Sequence, residues 1–315
     1  MKSLVSFLRH LLECIKKLIE KIRGVQFKII ENPELSKQMK RVVSNAKKEL
    51  WIICPEITQR ALKWLLKGVD KHLNINILTT TKSKRAVKRA LKDLGLTTSS
   101  NVFLSDGLHA KILMNEREVV IGSANISARA LWIGKRGSIE LGLYMREKRV
   151  IDSLKAFARS IIEGRKLPEG VTIKKVKILY GPKDLSACLI DLFRKASQNV
   201  YIVSPFIGIE IIDQILEAIN REHVRVEVIT TMRKQDIKTT LQDLLAIEQL
   251  LKSDVDIRQL NTLHAKLLIV DKSIGVIGTF NMTFEGIYEN YEVCIVIKES
   301  SLVEVLTKWY FSILQ

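Results

Sequence analysis

Two copies of one short pattern hold the residues of this sequence best suited to chemistry on phosphate. Each copy has a histidine and a lysine two positions apart, then two apolar runs separated by a turn, and then a glycine, a hydroxyl residue and an asparagine. Alternate side chains of a strand share a face, so each histidine should lie beside its lysine. An imidazole, a cation, and hydroxyl and amide donors together suit a phosphate group. The residues are His109, Lys111, Ser123 and Asn125 in the first copy and His264, Lys266, Thr279 and Asn281 in the second.

An acid that we expect to be buried follows each copy. Glu140 and Glu292 both stand inside apolar stretches that read as strands. An unpaired carboxylate is costly to bury, so each should have a cationic or hydrogen-bonding partner. A lysine or arginine in a structural ion pair is one such partner.

The elements that must position these residues also occur twice. Short apolar strands and turns recur in the same order at a separation of about 150 residues, as expected for a duplicated unit. Apolar runs rich in β-branched residues alternate with helical stripes, which predicts strands covered by helices on both faces. The matching segments are 27–33 with 176–182, 49–55 with 199–205, and 76–80 with 227–231.

This organisation predicts an α/β fold made of two tandem repeats. Each repeat should be a mostly buried mixed sheet flanked by helices, and the two should pack about a pseudo-twofold axis. The predicted units are an N-terminal basic amphipathic helix over 1–26, a first repeat over 27–165, a linker over 166–175 and a second repeat over 176–315.

The paired motif resembles the signature of the phospholipase D superfamily, H-x-K-x4-D-x6-G-[ST]-x-N. The second copy matches it in full, with Asp271 at the acidic position and Gly278 before the hydroxyl residue. The first copy has Glu116 at the acidic position and a turn that is one residue shorter. The resemblance covers nearly the whole chain from about residue 27, and it implies a phospholipase-D-like fold for both repeats.

The resemblance also implies a mechanism. The two motifs would meet in one site, where His109 attacks phosphorus to give a covalent phosphohistidine and His264 donates a proton to the leaving oxygen. The lysines and asparagines would neutralise the nonbridging oxygens, and Glu140 and Glu292 would hold the histidines by their second ring nitrogens. The acid of the signature would lie away from the reacting phosphate. No metal and no cofactor is expected.

Charge favours nucleic acid as the substrate. The chain has 51 Lys and Arg against 34 Asp and Glu, a net charge of +17, which attracts polyanions. Lys84, Arg85 and Lys88 are predicted to lie on the outer face of one basic helix. The aromatic residues Trp132, Phe284 and Tyr288 follow the asparagines, where they either stack on bases or pack within the lobe. A metal-independent nuclease is therefore the favoured hypothesis.

The N-terminal segment supports a competing hypothesis. Residues 1–26 have an apolar helical face with basic flanks, typical of a helix that binds a membrane surface or a protein partner. A phospholipase D or a cardiolipin-synthase-like transferase is the alternative, and an inactive nucleic-acid-binding relative is a third. The sequence shows neither a signal peptide nor a spanning helix, so we expect a cytoplasmic protein with free cysteines, peripheral at the membrane if 1–26 binds it. It leaves the oligomeric state open.

Overall fold

A computed structural model of the chain describes residues 26–134, 137–219, 223–231, 237–253 and 255–315. Apart from Gln26, the predicted helix over 1–26 lies outside these ranges. Within them, no helix combines the length and the apolar character needed to cross a bilayer.

The first repeat is an α/β unit, as the alternation of strands and helical stripes predicts. The helical stripe at Ala61, Leu62 and Leu65 is fully buried, because one face of its helix packs on the sheet. The elements are β1 (Gln26–Glu31), α1 (Glu34–Ser44), β2 (Glu49–Ile53), α2 (Gln59–Leu66), β3 (Asn74–Thr79), a 3₁₀ turn (Thr81–Ser83), α3 (Lys84–Leu94), β4 (Ser100–Leu104), β5 (Ile112–Asn115), β6 (Val119–Gly122), β7 (Leu141–Arg146) and α4 (Lys148–Glu163).

The second repeat follows the same order and begins with one additional strand. Its elements are β8 (Val171–Ile173), β9 (Val176–Tyr180), α5 (Gly181–Lys195), β10 (Asn199–Val203), α6 (Ile209–Ala218), β11 (Arg225–Thr230), α7 (Ile237–Lys252), β12 (Asp256–Gln259), β13 (Leu267–Val270), β14 (Ile274–Gly278), a π-helical turn (Glu285–Glu289), β15 (Val293–Ile297) and α8 (Ser300–Ser312).

The two sheets have equivalent strand orders. The first is β1-β7-β6-β5-β2-β3-β4, and the second is β12-β11-β10-β13-β14-β15-β9-β8, which is the same order read from the other end with β8 added. Three neighbouring strands of each sheet run parallel. They are β2, β3 and β4 in the first sheet and β10, β11 and β12 in the second. The hairpins β5–β6 and β13–β14 lie near the middle of the sheets and pair antiparallel. Each hairpin is flanked by the two parts of its phosphate motif.

One central core joins the repeats. Buried residues from the inner faces of both sheets form a single apolar cluster with α4 and α8, whereas the outer face of each sheet has its own cluster with the remaining helices of that repeat. The terminal helices also bond across the two repeats. Ser153 on α4 accepts a 2.8 Å hydrogen bond from the Tyr180 hydroxyl of β9, and Trp309 on α8 donates a 2.6 Å bond to Glu31 of β1. The equivalent strands β1 and β9 are therefore each held by the last helix of the other repeat.

Part of the predicted linker is structured. Within 166–175, Val171–Ile173 forms β8 and pairs antiparallel with β9 at the edge of the second sheet. Three residues are too few for periodicity to separate a strand from a loop, which is why the sequence pattern does not predict this one.

Candidate active site

The two His-x-Lys segments lie immediately before the hairpins. His109 and Lys111 precede β5, and His264 and Lys266 precede β13. The sequence predicted these residues to lie on strands, and the structure places them just before the strands instead. Each lysine folds back on its own segment. Lys111 Nζ donates to the His109 carbonyl at 2.5 Å, and Lys266 Nζ donates to the His264 carbonyl at 2.7 Å. Both ammonium groups are consequently held beside their histidines.

The backbone of each segment pairs with the other repeat. The His109 amide donates to the Tyr291 carbonyl at 3.1 Å, and the His264 amide donates to the Ile139 carbonyl at 3.0 Å. Tyr291 and Ile139 directly precede the two buried glutamates in sequence. These cross-repeat bonds replace strand pairing within the sheet, and they bring each histidine to the acid of the opposite repeat.

The histidine–glutamate pairs are therefore crossed. His109 Nδ1 lies 2.5 Å from Oε1 of Glu292, and His264 Nδ1 lies 2.9 Å from Oε2 of Glu140. Both carboxylate side chains are fully buried, while the His109 and His264 side chains are 26% and 18% exposed. With Nδ1 engaged, each imidazole has Nε2 left for a ligand, as in an imidazole oriented by an acid for nucleophilic or acid–base work.

The hydroxyl residues of the motifs hold these carboxylates. Ser123 Oγ donates to Glu140 Oε2 at 2.5 Å, and Thr279 Oγ1 donates to Glu292 Oε2. Both hydroxyl residues are buried. In the structure both hydroxyl groups therefore donate to the acids, whereas the sequence suggests substrate binding for these residues.

Close backbone packing explains the glycine in front of each hydroxyl residue. A Cβ at Gly122 would lie 2.6 Å from the Leu141 carbonyl oxygen, and one at Gly278 would lie 2.7 Å from the Val293 carbonyl oxygen. The absence of a side chain lets β6 approach β7, and β14 approach β15, closely enough for the hydroxyl to reach the acid.

Burial depresses the proton affinity of His109. Burial is the main cause of its lowered pKa, and the charge of Lys111 adds to it, against the opposing effect of Glu292. Lys111 is itself buried, and burial lowers its pKa despite the carboxylates around it.

The second histidine is affected in the same way. Burial and then the charge of Lys266 lower the pKa of His264 to about 4, although Glu140 opposes the shift. For Glu140, burial opposes ionisation, but His264, Lys266 and Ser123 outweigh it and lower the pKa of this carboxyl. In the ligand-free protein, therefore, the His264 imidazole is neutral at pH 7 and Glu140 is charged.

The two asparagines have different surroundings. Asn125 Nδ2 donates to Glu56 Oε2 at 3.0 Å, and the Cys54 thiol lies 3.7 Å from Asn125 Oδ1. Asn281 Oδ1 is buried and has no partner among the described residues. Glu56, an exposed acid next to a phosphate-motif residue, has Phe206 as its counterpart in the second repeat.

The acids of the family signature lie elsewhere. Glu116 accepts from the backbone amides of Lys47 and Lys48, and Asp271 accepts from those of residues 197–199. Each acid caps the loop that leads into β2 or β10. The Asp271 turn has an additional residue and contains left-handed backbone at Asp271 and Lys272. The aspartate-to-glutamate change and the shorter first turn thus keep the same capping contact.

A family model for the cardiolipin synthase, phospholipase-D-like domain matches residues 39–161 and again residues 189–314. These two matches cover most of both repeats and contain both motifs. The chain belongs to the phospholipase D superfamily. No curated protein sequence matches it significantly.

Solved structures of three enzymes share its fold. Phosphatidylserine synthase of Haemophilus influenzae Rd KW20 is similar with a TM-score of 0.68 at 14% identity, over 89% of this chain and 84% of that one. Yeast tyrosyl-DNA phosphodiesterase is similar with a TM-score of 0.57 at 11% identity, over 88% and 90%. Polyphosphate kinase of Porphyromonas gingivalis is similar with a TM-score of 0.62 at 12% identity, over 95% of this chain and 52% of that one. Such identities establish the fold and leave the substrate open.

The aromatic residues named from the sequence lie in the loops after the asparagines. Trp132 is 44% exposed, and its Nε1 donates to the Ser138 carbonyl at 2.8 Å. Phe284 is 43% exposed and packs on Tyr288, with ring centroids 5.2 Å apart. Tyr288 also donates to Gln214 Oε1. Trp132 and Phe284 are therefore each partly exposed to solvent.

The basic residues named from the sequence lie on α3. Lys84, Arg85 and Lys88 are exposed, whereas Val87 and Leu91 of the same helix are buried. Helix α3 is anchored near the site. Its preceding Ser83 accepts from the Ile57 amide and donates to the Pro55 carbonyl, on either side of Glu56.

Other parts of the site were not predicted from the sequence. The crossing of the acids and the contact of Glu56 with Asn125 depend on segments that meet only after folding. A hydrogen bond from Ser138 to Glu140 was not predicted either. Ser138 carries one local signal, because it lies two positions before Glu140 and so shares its face of an extended chain. Among the described residues, no cluster of His, Cys, Asp and Glu has the geometry to hold a metal ion.

Proposed function

We propose that the protein cleaves phosphodiester bonds of nucleic acid through a covalent phosphohistidine, at one site built by both repeats. The observation that carries the proposal is the crossed pairing, His109 with Glu292 and His264 with Glu140. Two oriented imidazoles flanked by two buried lysines form the set needed for displacement at phosphorus.

The reaction then takes two steps. In the first, Nε2 of one imidazole attacks phosphorus, a P–N bond forms, the P–O bond to the leaving group breaks, and the leaving oxygen takes a proton from the other imidazole. In the second step, that imidazole removes a proton from water or an alcohol, whose oxygen displaces the histidine from phosphorus. By family resemblance we assign the nucleophile to His109 and the acid to His264.

The charged and amide groups stabilise the transition state. Lys111 and Lys266 supply positive charge next to the histidines, and Asn125 and Asn281 supply amide groups for the nonbridging oxygens. Because the ligand-free protein lowers the pKa of both histidines, the proton of the acid must be stabilised by the bound phosphate. These steps use only side chains, so we expect activity in the presence of a chelator.

The basic face of α3 supports nucleic acid as the substrate. Lys84, Arg85 and Lys88 are exposed on it, and the start of the helix is tied through Ser83 to the loop that carries Glu56. A chain of phosphates leaving the site can follow this face, and exposed rings such as Trp132 can stack on bases. The net charge of +17 acts in the same direction.

A phospholipid is the second candidate substrate. It is supported by the family model, which is named for cardiolipin synthase and matches both repeats. In this case the same two steps would transfer a phosphatidyl group, and residues 1–26 would contact the membrane.

The deciding experiment compares substrates with and without the first histidine. Wild type and His109→Ala are assayed with labelled single-stranded DNA and RNA and with anionic phospholipid vesicles, all in excess chelator. Chelator-resistant cutting of nucleic acid that His109→Ala abolishes is the expected result. Lipid turnover without cutting would overturn the substrate and retain the chemistry, and absence of any turnover would favour an inactive binding protein.

A further inference from the structure

The carboxylates of the two crossed pairs accept different numbers of hydrogen bonds. Among the described residues, Glu292 accepts from His109 on Oε1 and from Thr279 on Oε2, so each donor has its own oxygen. Glu140 accepts from His264 and Ser123 on the same Oε2, and its Oε1 is bonded by Ser138 at 2.7 Å. Glu140 therefore has one donor more than Glu292, and His264 shares the Oε2 oxygen of Glu140 with Ser123.

Ser138 is held firmly for this contact. It is buried, with 3% of its surface exposed, and its carbonyl accepts the Trp132 indole N–H at 2.8 Å. Trp132 itself adopts left-handed backbone with φ of 51°, and its ring covers Gly137 so closely that a Cβ there would lie 2.0 Å from the ring. The residue at the matching position of the second repeat is Asn290, which does not bond Glu292.

A further donor changes what a carboxylate can do for its histidine. Hydrogen bonds spread the negative charge of the acid, so each additional donor weakens it as an acceptor for the imidazole N–H. The distances agree with this difference, at 2.9 Å for His264 to Glu140 and 2.5 Å for His109 to Glu292. The charges of Lys111 and Lys266 also act on both histidines and lower the pKa of each.

We propose that Ser138 is a positioning residue that makes His264 the weaker base of the two active-site imidazoles. The two halves of the site would otherwise be nearly equivalent. With His264 the weaker base, the single proton of the ligand-free site resides on His109, so the assignment of His264 as the acid requires the bound phosphate to draw that proton to His264. The pair of histidines binds two protons in two steps, and the singly protonated form predominates between the two apparent pKa values. The difference between these two pKa values therefore sets the width of the pH range of activity. Ser138 widens this range on its acidic side.

The first test needs no substrate. The ring nitrogens of His109 and His264 are titrated by NMR in ligand-free wild type, Ser138→Ala, Ser138→Thr and Asn290→Ala. We expect Ser138→Ala to raise the pKa of His264 by about 0.5 to 1 unit, the size that loss of one hydrogen bond implies. Ser138→Thr should restore the wild-type value and Asn290→Ala should leave it in place. An unchanged His264 titration in folded Ser138→Ala would overturn the proposal.

The second test uses catalysis and rests on the proposed function. The acidic limb of the pH profile of kcat/KM should move upward by the same amount in Ser138→Ala and return in Ser138→Thr. A lower activity with an unshifted limb, not restored by threonine, would reduce Ser138 to a structural residue. If neither nucleic acid nor lipid is turned over, the proposed function fails while the NMR titration still decides the role of Ser138.

Discussion

Nδ1 of His109 lies 2.5 Å from Oε1 of Glu292, a residue 183 positions further along the chain and in the other repeat. The reciprocal contact joins His264 to Glu140 across 124 positions. Each motif therefore takes its orienting acid from the opposite repeat, and neither repeat alone contains a complete set. This relationship makes the interface between the repeats part of the site.

Removing the charge of Glu292 should impair turnover with little effect on folding. Glu292→Gln keeps the shape of the side chain but weakens the hold on the His109 N–H and the stabilisation of its imidazolium form. We expect kcat to fall about 10²- to 10⁴-fold, the range of an oriented acid–base group. Steady-state kinetics with a Tm measurement test this, and Glu304→Gln, at an exposed acid of α8, is the control. Wild-type kcat in Glu292→Gln would contradict an orienting role.

Low pH should destabilise the protein through its two partly buried site histidines. The pKa of His264 is about 4 in the fold and about 6.5 when unfolded, so between these values the unfolded chain binds a proton that the folded chain does not. The free energy of unfolding should consequently fall as pH drops from 6.5 toward 4, by on the order of 3 kcal/mol from His264. His109, whose pKa is also lowered, acts with the same sign.

Urea unfolding at pH 7 and pH 5 measures this dependence. His264→Gln should show a smaller loss of stability between the two pH values, while His72→Gln, at an exposed position, should match wild type. Equal pH dependence in all three proteins would show that His264 is not the source.

The sequence predicts the repeats and the motif because both are local or periodic. Strands such as β1 and β9 and the buried stripe of α2 follow from apolar spacing, and the family signature follows from residue order. Which acid contacts which histidine cannot be predicted in this way. The duplication makes Glu140 and Glu292 equivalent by pattern, and only packing of the two sheets about a common core decides that they cross.

Glu56 illustrates the same limit at the rim of the site. Its position after β2 is readable from the sequence, but its bond to Asn125 depends on where the loop after β6 folds. Its counterpart Phe206 shows that duplication preserves the backbone more strictly than the rim side chains.

Neutralising Glu56 should improve binding of an anionic substrate. The Glu56 carboxylate occupies Asn125 Nδ2 and lies near enough to Lys111 to interact with its charge, so a phosphate group competes with it for both. Glu56→Gln should lower KM about three- to tenfold at low salt, and the gain should shrink as salt rises. Gln59→Glu is the matched control with the opposite sign, because it adds a negative charge one turn further along the chain and should raise KM. A higher KM in Glu56→Gln would indicate that the substrate carries a cationic or donor group there.

Neutralising the basic face of α3 should weaken nucleic-acid binding through its salt dependence. The triple variant Lys84→Gln, Arg85→Gln and Lys88→Gln should reduce the slope of log K against log salt by about 0.7 for each phosphate of a single strand that the protein no longer neutralises. The control neutralises three exposed lysines on other helices, Lys148, Lys195 and Lys308. Equal slopes for both triple variants would mean that α3 is an ordinary solvated face.

Creating a cavity in the central core should destabilise both repeats together. Phe157 of α4 is fully buried and stacks on Tyr180 of the other repeat, with ring centroids 5.2 Å apart. Phe157→Ala should cost about 3 to 5 kcal/mol, because removal of the buried ring and the cavity it leaves both destabilise the fold. Leu251→Ala, at a residue that is 63% exposed on α7, should stay within about 0.5 kcal/mol of wild type.

The transition should also remain single in Phe157→Ala. The apolar cluster around Phe157 includes Trp51 of the first sheet and Trp309 of α8, so one core connects both repeats. Unfolding followed by far-UV circular dichroism and by tryptophan fluorescence should give coincident curves, shifted to the same lower midpoint. Two separated transitions, with only one displaced, would show that the repeats fold independently, and the crossed site would then have to form by docking of two preformed units.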